Sequence, residues 1–417
     1  MPDTVTAPDT IPSPHHWPPG LTRVPFWVYQ DPEVLRAEQR RIFEGPFWNF
    51  LALEVDIPGH GDYRTTFIGQ MPVIVVRGEG GTIHAFENRC AHRGALIAIE
   101  DSGNVKDFTC AYHSWRYDQT GNLCSIAFQR GVNGKGGMPR DFRMEEHGPR
   151  KLRVTTIGGL VFGTLSADTP DIETYLGPAI VAKLRRVLSR KIEVIGRFIQ
   201  PMPNNWKLYA ENLRDSYHAS LLHTFFTTFH ISRFSQAGGI TVSETGAHHA
   251  SATIARMEGG DAAYKEQNIR SDNEELQLRD MSFLDSVDEI GDSIQQQLLT
   301  VFPTAVLQQT RNVLAVRHYL PRGIDTTDLH WIYLGYADDT PEMRKRRLKQ
   351  TNLIGPAGFI SLEDGCIGGF VQRGAAAAAD EVSIVEMGGR SVESQETRVT
   401  EVAIRGFWQV YRACMGI

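Results

Sequence analysis

The sequence has few cysteines, no long apolar run and no excess of positive charge. No run reaches the roughly 18 apolar residues that a membrane-spanning helix requires, and the acidic, Pro-rich residues 1–20 lack the apolar stretch of a signal peptide. The net charge of −6 argues against nucleic acid or an anionic membrane as a partner. The five cysteines are too few for a disulfide framework, and they lie at positions 90, 110, 124, 366 and 414. We therefore expect a globular cytoplasmic protein.

Turn residues and apolar patterns divide the chain into regions of different character. Residues 1–24 are Pro-rich and are predicted to form a loosely held arm, followed by a short helix with Asp31 as its N-cap. From about 48 to 165, short apolar segments alternate with Gly and Asp turns, which is typical of a β domain. Beyond about 170, helical and strand patterns mix without regular alternation and predict an α+β fold. No glycine-rich nucleotide loop is present, so any NADH must be handled by another polypeptide.

Two short segments, each with one cysteine and one histidine, form the most informative pattern. The first contains Cys90-Ala-His92 and Gly94, and 17 residues separate His92 from the second, Cys110-Ala-Tyr-His113. A [2Fe–2S] Rieske cluster takes one Cys and one His from each of two loops, whereas zinc ribbons usually use four Cys or a different spacing. Gly94 would permit a tight turn whose N–H groups face cluster sulfurs. The pattern predicts a Rieske cluster bound by Cys90, His92, Cys110 and His113.

The other three cysteines are not predicted to bind the cluster. None lies directly beside either pair, so the disulfide that braces high-potential Rieske centres is absent and a lower reduction potential is expected. Cys124, Cys366 and Cys414 are predicted to be small buried hydrophobic residues.

A second group of titratable residues lies in a predicted helix over 204–224. Asp215 and His218 are three residues apart and share a helix face. His218 and His223 are five apart, about 140° around an ideal helix, and can reach one ion only if the helix distorts or ends near His223. Two imidazoles and a carboxylate form the facial triad of non-heme Fe(II) enzymes, which leaves positions open for dioxygen.

The carboxylate of this triad must come from another part of the chain. Asp364 is the best candidate and Glu363 is its rival, because the spacing alone does not choose between adjacent acids. Taken alone, H-x4-H would be explained better by two buried structural histidines. A Rieske cluster in the same chain favours a metal site over structural histidines, because an electron-transfer centre implies a redox acceptor.

Two arginines are candidates for binding an anionic substrate. Arg317 lies in a predicted strand that is apolar on both faces, where a guanidinium needs a buried anion, either a substrate or a protein carboxylate. Arg398 is predicted to open the last helix, over 396–413, beside its apolar stripe; a solvated surface position is the alternative. Leu222, Phe225 and Phe226 follow the iron motif and could line a ring pocket or simply pack in the core.

Together the two motifs resemble the large (α) subunits of the Rieske non-heme iron ring-hydroxylating oxygenases, from about Arg23 onward. Within the family the sequence looks most similar to members that act on terephthalate, and less similar to salicylate 5-hydroxylases. The supporting stretches are ENRCAHRGALIAIE, GVNGKGGMPRDF, EEHGPRKLRV, PNNWKLYAENLRDSYHASLLHTFFTTF, RSDNEE and NLIGPAGFISLEDG.

The resemblance implies a particular α+β architecture. An all-β Rieske [2Fe–2S] domain would span residues 47–165. A catalytic domain over 166–417 would carry a long antiparallel sheet covered by helices, of the helix-grip type, and would include the arm and helix of residues 1–46.

The resemblance also implies roles for the candidate residues. The cysteines of the first motif would bind one iron of the cluster and its histidines the other. His218, His223 and Asp364 would bind the mononuclear iron, and Asp215 would connect His218 to His113 of a neighbouring subunit. Arg317 and Arg398 match the two arginines that grip the two carboxylates in the terephthalate-oxidising members.

The implied function is cis-dihydroxylation of an aromatic dicarboxylate, terephthalate foremost. Dioxygen would be the co-substrate, and a separate NADH-dependent reductase would supply electrons. Family members form trimers through their α subunits, often as α3β3 with a small β subunit. Two alternatives are a ring hydroxylase for a salicylate- or benzoate-type monocarboxylate on the same scaffold and, more remotely, a Rieske electron carrier without catalysis.

Overall fold

The computed structural model describes residues 16–257, 262–273 and 275–417, and the chain divides into two compact units. The smaller unit runs from Phe43 to Ile172. The larger unit comprises the described residues up to Ile42 and those from Glu173 to Ile417. The predicted domain limits, at 46/47 and 165/166, lie within a few residues of these divisions.

The smaller unit is built from two antiparallel sheets of short strands. Glycine turns keep the strands short: Gly158 and Gly159 have φ angles of 58° and 82°, which suit the two-residue turn of a tight hairpin. The first sheet has the spatial order Asn49–Leu53, Leu160–Thr164, Lys151–Ile157, Ile83–Glu87, Met71–Arg77, Asp62–Ile68 and Ser102–Asn104. The second has the order Phe108–Thr109, Arg116–Tyr117 and Leu123–Ser125.

An apolar core in the smaller unit includes both predicted cluster cysteines. The same buried group contains Phe86, Trp115 and Tyr117. The first residue of each loop, Cys90 or Cys110, is therefore held in a tightly packed core.

The larger unit contains a long antiparallel sheet, with a small two-stranded sheet beside it. Every residue of the strand Val313–Pro321 is buried, as its apolar residues on both faces predict. The long sheet has the order Ile192–Met202, Thr327–Tyr336, Val313–Pro321, Ala305–Thr310, Ile294–Val301, His249–Met257 and Gln236–Val242, and the small sheet pairs Arg23–Pro25 with Val382–Ile384.

Helices cover this sheet and carry the candidate residues. Trp206–Arg214 contacts two further helices, Ser361–Ala375 and Val402–Met415, and two central strands of the sheet. The described α-helices are Pro32–Glu38, Ile172–Leu176, Pro178–Val187, Trp206–Arg214, Ser216–Leu222, Thr224–Thr228, Ala262–Glu266, Pro341–Ile354, Ser361–Ala375 and Val402–Met415. Short 3₁₀ turns lie at Phe26–Tyr29, Glu54–Asp56, Glu79–Gly81, Met144–Glu146 and Met281–Phe283, and a π-turn lies at Gln39–Phe43.

A buried ion pair fixes the helix Trp206–Arg214 in place. The Nζ atom of Lys207 lies 2.7 Å from Oε1 of Glu38, and neither side chain is exposed. Glu38 also accepts hydrogen bonds from Trp206 Nε1 (2.7 Å) and Tyr411 OH (2.6 Å). Because a buried charge left without its partner is strongly destabilising, these bonds hold three helices in one arrangement.

Several predicted elements differ from the observed ones. The helix expected over 204–224 is three short helices that break at Asp215 and His223, whose backbones are extended. The last helix begins at Val402 rather than near 396, so Arg398 lies before it. The helix Ser361–Ala375, which contains Asp364, was not predicted, because its four glycines and its polar first turn obscure the helical pattern.

The N-terminal region is only partly a loose arm. Residues 1–15 of the predicted arm lie outside the described residues. Trp17 is buried and packs against Trp27, Trp408 and Tyr411, and residues 23–25 form a strand, so the prediction is wrong for this part. The short helix is confirmed: it begins at Pro32, and Asp31 caps it by accepting from the N–H of Glu33.

Among the helices of the described residues, none combines the length and the apolarity needed to cross a bilayer.

Candidate metal centres

The two Cys–His loops of the smaller unit have the same backbone hydrogen-bond pattern. In each loop the cysteine N–H donates to the carbonyl five residues on, at 2.8 and 2.9 Å. The residue four positions on returns a bond to the cysteine carbonyl at 2.9 Å in both loops, and it has a positive φ: 76° at Gly94 and 55° at Ser114. The loops are thus near copies, despite C-x-H in one and C-x-x-H in the other.

The side chains of these loops separate into a buried pair and an exposed pair. Cys90 and Cys110 are free thiols with 3% and 1% exposure, whereas both histidines reach solvent. The Nδ1 atoms of His92 and His113 lie 3.2 Å apart. Two nitrogens bound at about 2.1 Å to one tetrahedral metal lie roughly 3.4 Å apart, so the pair fits a shared ion. A buried sulfur pair with an exposed imidazole pair suits the unequal irons of a Rieske cluster.

Two neighbours constrain these ligands. The His92 ring stacks on Trp115, with centroids 4.7 Å apart and planes 8° from parallel. The Tyr117 hydroxyl lies 3.2 Å from Cys90 Sγ and accepts a hydrogen bond from the Ala91 N–H at 3.0 Å. Because the hydroxyl oxygen accepts that bond, its own hydrogen can point at the sulfur. Gly94 forms the predicted tight turn, in which its own N–H bonds to the Cys90 carbonyl; that other N–H groups of the turn face cluster sulfurs stays a prediction.

In the larger unit, two helix breaks bring the histidines of the second motif together. Asp215 caps the helix Ser216–Leu222 by accepting from the N–H groups of Tyr217 (2.9 Å) and His218 (3.1 Å). The helix ends directly before His223, as the five-residue spacing requires, and this prediction is confirmed. The break places both imidazoles on the same side of the helix.

Asp364 completes a cluster with the two histidines. Its Oδ1 atom lies 3.4 Å from His218 Nε2 and 3.3 Å from His223 Nε2. Potential ligand atoms of His218, His223 and Asp364 all lie within 4.8 Å of one another. Asn212 donates from Nδ2 to the same Asp364 oxygen at 3.1 Å.

The opposite ring nitrogens face other carboxylates. His218 Nδ1 lies 3.3 Å from Asp215 Oδ2, and His223 Nδ1 lies 2.8 Å from Glu363 Oε2. In a neutral imidazole, the proton belongs on the nitrogen that faces such an acceptor. The Nε2 lone pairs then converge with a carboxylate oxygen, an arrangement that a cation stabilises. The donor set therefore fits a metal ion, and the geometry favours Asp364 over Glu363 as the third ligand.

The pKa values of His218 and Asp364 reflect the close approach of carboxylates and imidazoles in this cluster. Burial lowers the pKa of His218, but the charge of Asp215 and the hydrogen bonds to Asp215 and Asp364 outweigh it and raise the pKa to about 10. Burial raises the pKa of Asp364, but the two histidines more than offset this and bring it well below its ordinary value.

Arg317 is buried without a carboxylate partner among the described residues. Its Nη1 donates to Tyr209 OH at 2.9 Å, its Nη2 donates to Gln308 Oε1, and its guanidinium lies 4.5 Å from the Trp331 ring centroid. Exposure is 4%. The alternative of a protein carboxylate as counter-ion finds no support in these contacts.

Arg398 has a similar environment. It is 5% exposed, which rules out the solvated surface position. Its Nη1 donates to Ser232 Oγ at 2.7 Å, and its Nη2 donates to the carbonyls of Arg233 and, at 3.3 Å, Gln236. Burial lowers the pKa of Arg398 to about 10, because no anion in the described part of the chain compensates its charge.

One cavity brings the arginines and the triad together. Its lining contains His218, His223, Asp364, Arg317 and Arg398. Phe226 also lines it, but Leu222 and Phe225 do not. Phe225 instead stacks on Phe359 at 4.8 Å.

Two residues that line the cavity were not identified from the sequence. Ser232 and Gln308 bond to the two arginines, yet they lie 166 and 9 positions away from them along the chain. A glutamine within the wholly buried strand Ala305–Thr310 was a usable signal, since a buried amide requires a partner. Ser232 has no such signal.

The remaining cysteines correct a further prediction. Cys124 and Cys366 are exposed and Cys414 is half-buried, so they are not the buried hydrophobic residues that were expected. Cys124 lies next to a hairpin turn, and Cys366 lies on the solvent side of its helix.

The chain matches two protein families and several known proteins. Residues 47–134 match the Rieske [2Fe-2S] domain, and residues 181–417 match the ring hydroxylating alpha subunit (catalytic domain). The chain is 57% identical to the terephthalate 1,2-dioxygenase terminal oxygenase component subunit alpha 2 of Comamonas sp, over 95% of this chain and 96% of that one. It is 45% identical to the anthranilate 1,2-dioxygenase large subunit of Burkholderia cepacia, over 95% and 94%. In fold it resembles naphthalene 1,2-dioxygenase from Rhodococcus sp., with a TM-score of 0.76 and 24% identity over 94% of both chains.

Proposed function

Because the chain belongs to the ring-hydroxylating oxygenase alpha subunits and has a Rieske [2Fe–2S] domain, we propose that it cis-dihydroxylates an aromatic dicarboxylate, with terephthalate as the first candidate. The chain is an oxidoreductase of the dioxygenase type. It uses a Rieske cluster, a mononuclear iron and dioxygen, and a separate reductase supplies its electrons.

The observation that carries the dicarboxylate proposal is the pair of buried arginines. Arg317 and Arg398 line the same cavity as the triad, and neither forms an ion pair with a described residue. An unpaired buried guanidinium is costly, and a planar carboxylate matches its donors. Two such cations call for two negative groups. The 57% identity to a protein named for terephthalate supports the same substrate.

The candidate residues then have separate tasks. Cys90, His92, Cys110 and His113 would hold the cluster, which supplies electrons one at a time. His218, His223 and Asp364 would hold the mononuclear iron, which would supply open coordination positions for dioxygen. The arginines would orient the ring, and the buried walls of the cavity would exclude water from it.

Asp215 is proposed to connect the two metal sites across a subunit boundary. One oxygen caps the helix Ser216–Leu222, and the other lies 3.3 Å from His218 Nδ1. The side chain remains 23% exposed and borders a groove with apolar residues that include Leu221, Ile367 and Ile384. His113 of a neighbouring subunit is the proposed second partner of this carboxylate.

The proposed assembly follows from this connection. A subunit whose Asp215 needs a histidine from another copy is complete only in an oligomer, and an α3β3 complex with a small β subunit is the arrangement we propose. A cytoplasmic location is expected, since the reductase would draw on NADH there.

The proposal is tested by turnover with purified reductase and four acids: terephthalate, isophthalate, phthalate and salicylate. We expect the highest kcat/KM with terephthalate and a cis-dihydrodiol product in which ¹⁸O₂ labels both new oxygens. The identity to an anthranilate dioxygenase subunit keeps a monocarboxylate substrate as the second candidate. A preference for salicylate would contradict the dicarboxylate proposal, and a single labelled oxygen would contradict dioxygenation.

A further inference from the structure

Ser232 and Arg398 both line the cavity, and the Ser232 hydroxyl contacts the guanidinium. It accepts a hydrogen bond from Arg398 Nη1 at 2.7 Å, and the residue lines the cavity with a total exposure of 1%. We infer that this hydroxyl donates to the same substrate carboxylate that Arg398 binds, so that Ser232 determines specificity for the second acid group. The inference rests on the proposed function and adds to it a residue that carries no charge.

The direction of the hydroxyl hydrogen supports this role. A serine hydroxyl has one hydrogen to donate, and its oxygen here already accepts from the guanidinium. Within the described part of the chain, the structure gives that hydrogen no acceptor. A buried donor without a partner is costly, so a ligand oxygen in the cavity is the natural acceptor.

The two donors suit one carboxylate. Arg398 Nη1 keeps a second hydrogen, and Ser232 Oγ lies 2.7 Å from that nitrogen. This separation is comparable to the distance between the two oxygens of a carboxylate, so each oxygen can accept one bond.

The backbone around Ser232 is held firmly. Its carbonyl accepts from Ser220 Oγ at 3.1 Å. The next residue, Arg233, donates from Nε to the Thr227 carbonyl at 2.8 Å and forms an ion pair with Asp272. The donor pair is therefore organised before a substrate arrives.

At the Arg317 end of the cavity, the hydroxyl that accepts from the guanidinium belongs to Tyr209, which does not line the cavity. Gln308 faces Arg317 through Oε1, and its Nε2 donates to Thr310 Oγ1 at 3.1 Å. One of its two amide hydrogens is thus used within the protein. The two ends differ: the Arg398 end offers a guanidinium with a hydroxyl at the cavity wall, and the Arg317 end offers a guanidinium beside a glutamine side chain.

The test compares Ser232→Ala with Ser232→Thr, which keeps the hydroxyl, and with Ser271→Ala as a control. Ser271 is equally buried, but it bonds to the Ser220 carbonyl and does not line the cavity. We expect Ser232→Ala to raise the dissociation constant of terephthalate, measured by calorimetry, about 10-fold or more. This is the effect of losing a hydrogen bond to a charged group. Ser232→Thr should stay within about 3-fold of wild type, and Ser271→Ala should not weaken binding.

Two further measurements separate donation from simple positioning of Arg398. In an Arg398→Leu background, Ser232→Ala should weaken binding further, because a hydroxyl that donates to the carboxylate acts without the guanidinium, whereas one that only positions Arg398 would have no further effect. Infrared difference spectra of bound ¹³C-carboxyl-labelled terephthalate should show one carboxylate band that shifts in Ser232→Ala and returns in Ser232→Thr.

Each contrary outcome has a distinct meaning. If wild type binds terephthalate and Ser232→Ala binds it equally well, the role of Ser232 is wrong while the proposed function survives. Weaker binding with unmoved carboxylate bands would mean that Ser232 only positions Arg398, which also overturns the inference. If wild type does not bind terephthalate, both the inference and the dicarboxylate proposal fail.

Discussion

The two candidate metal centres are built in different ways. In the smaller unit, four residues from two short loops would supply the ligands, and similar backbone hydrogen bonds form both loops. In the larger unit, the triad joins two histidines at a helix break to an acid 141 residues further along, on a helix of its own. In the first centre His92 is exposed and His113 half-buried, whereas the second lines a cavity with two arginines and has His223 and Asp364 buried and His218 half-buried.

This difference matches the tasks that we assign to the two centres. An electron-transfer site has to present its ligands to a partner, so exposed imidazoles are an advantage. A site that activates dioxygen has to exclude water and hold a substrate, which requires residues from several elements around a cavity. The contrast also predicts that the centres bind their metals independently.

The largest expected effect comes from removing a ligand at either centre. His218→Ala should lower the iron content from about three atoms per chain to about two, keep the Rieske EPR signal and abolish turnover. His113→Ala should do the reverse, with the EPR signal lost and the mononuclear iron retained. Iron analysis and EPR on the same samples check this. Loss of both metals from either variant would contradict independent binding.

A smaller but still large effect is expected at the proposed connection between the centres. Asp215→Ala should keep both metals and lose turnover, but it also removes a helix cap. Asp215→Asn is the sharper variant, because asparagine caps helices well and removes only the charge. We expect both variants to lose about 100-fold or more in electron transfer and turnover, measured by stopped-flow oxidation of the reduced cluster. Undiminished product formation would contradict the bridging role.

The smallest effect is expected at the cluster itself. Tyr117→Phe removes the hydroxyl beside Cys90 Sγ and leaves the ring in the core. Loss of a bond of about 1 kcal/mol should lower the one-electron reduction potential by roughly 40 mV. Redox titration followed by EPR measures the shift, with Tyr112→Phe, an exposed tyrosine of the second loop, as the control. Equal potentials in wild type and Tyr117→Phe would show that the hydroxyl does not donate to the sulfur.

The contrast between a centre built from two nearby loops and one built from distant segments explains how much could be predicted from the sequence. The family, the α+β fold and the cofactors were predicted and are confirmed by the family matches and the structural resemblance. The cluster motif is readable because its spacing is local and its residue types are rare. The assignments of individual ligands and of Asp215 remain predictions.

The larger unit was harder to interpret for physical reasons. Nothing in the spacing distinguishes Asp364 from Glu363; only the fold shows that one faces Nε2 and the other Nδ1 of His223. Arg398 was assigned to a helix that begins four residues later, at Val402. Ser232 could not be found at all, because its partner comes from a distant segment and tertiary packing alone brings them together.

The most direct test of the central claim is the ratio of kcat/KM for terephthalate to that for benzoate, in wild type and in Arg398→Leu. We expect wild type to favour terephthalate. We expect the variant to lose roughly 100-fold of this preference, because the second carboxylate would enter a site without its cation. A variant that keeps the wild-type ratio, with both metals in place, would contradict recognition of a dicarboxylate by two arginines.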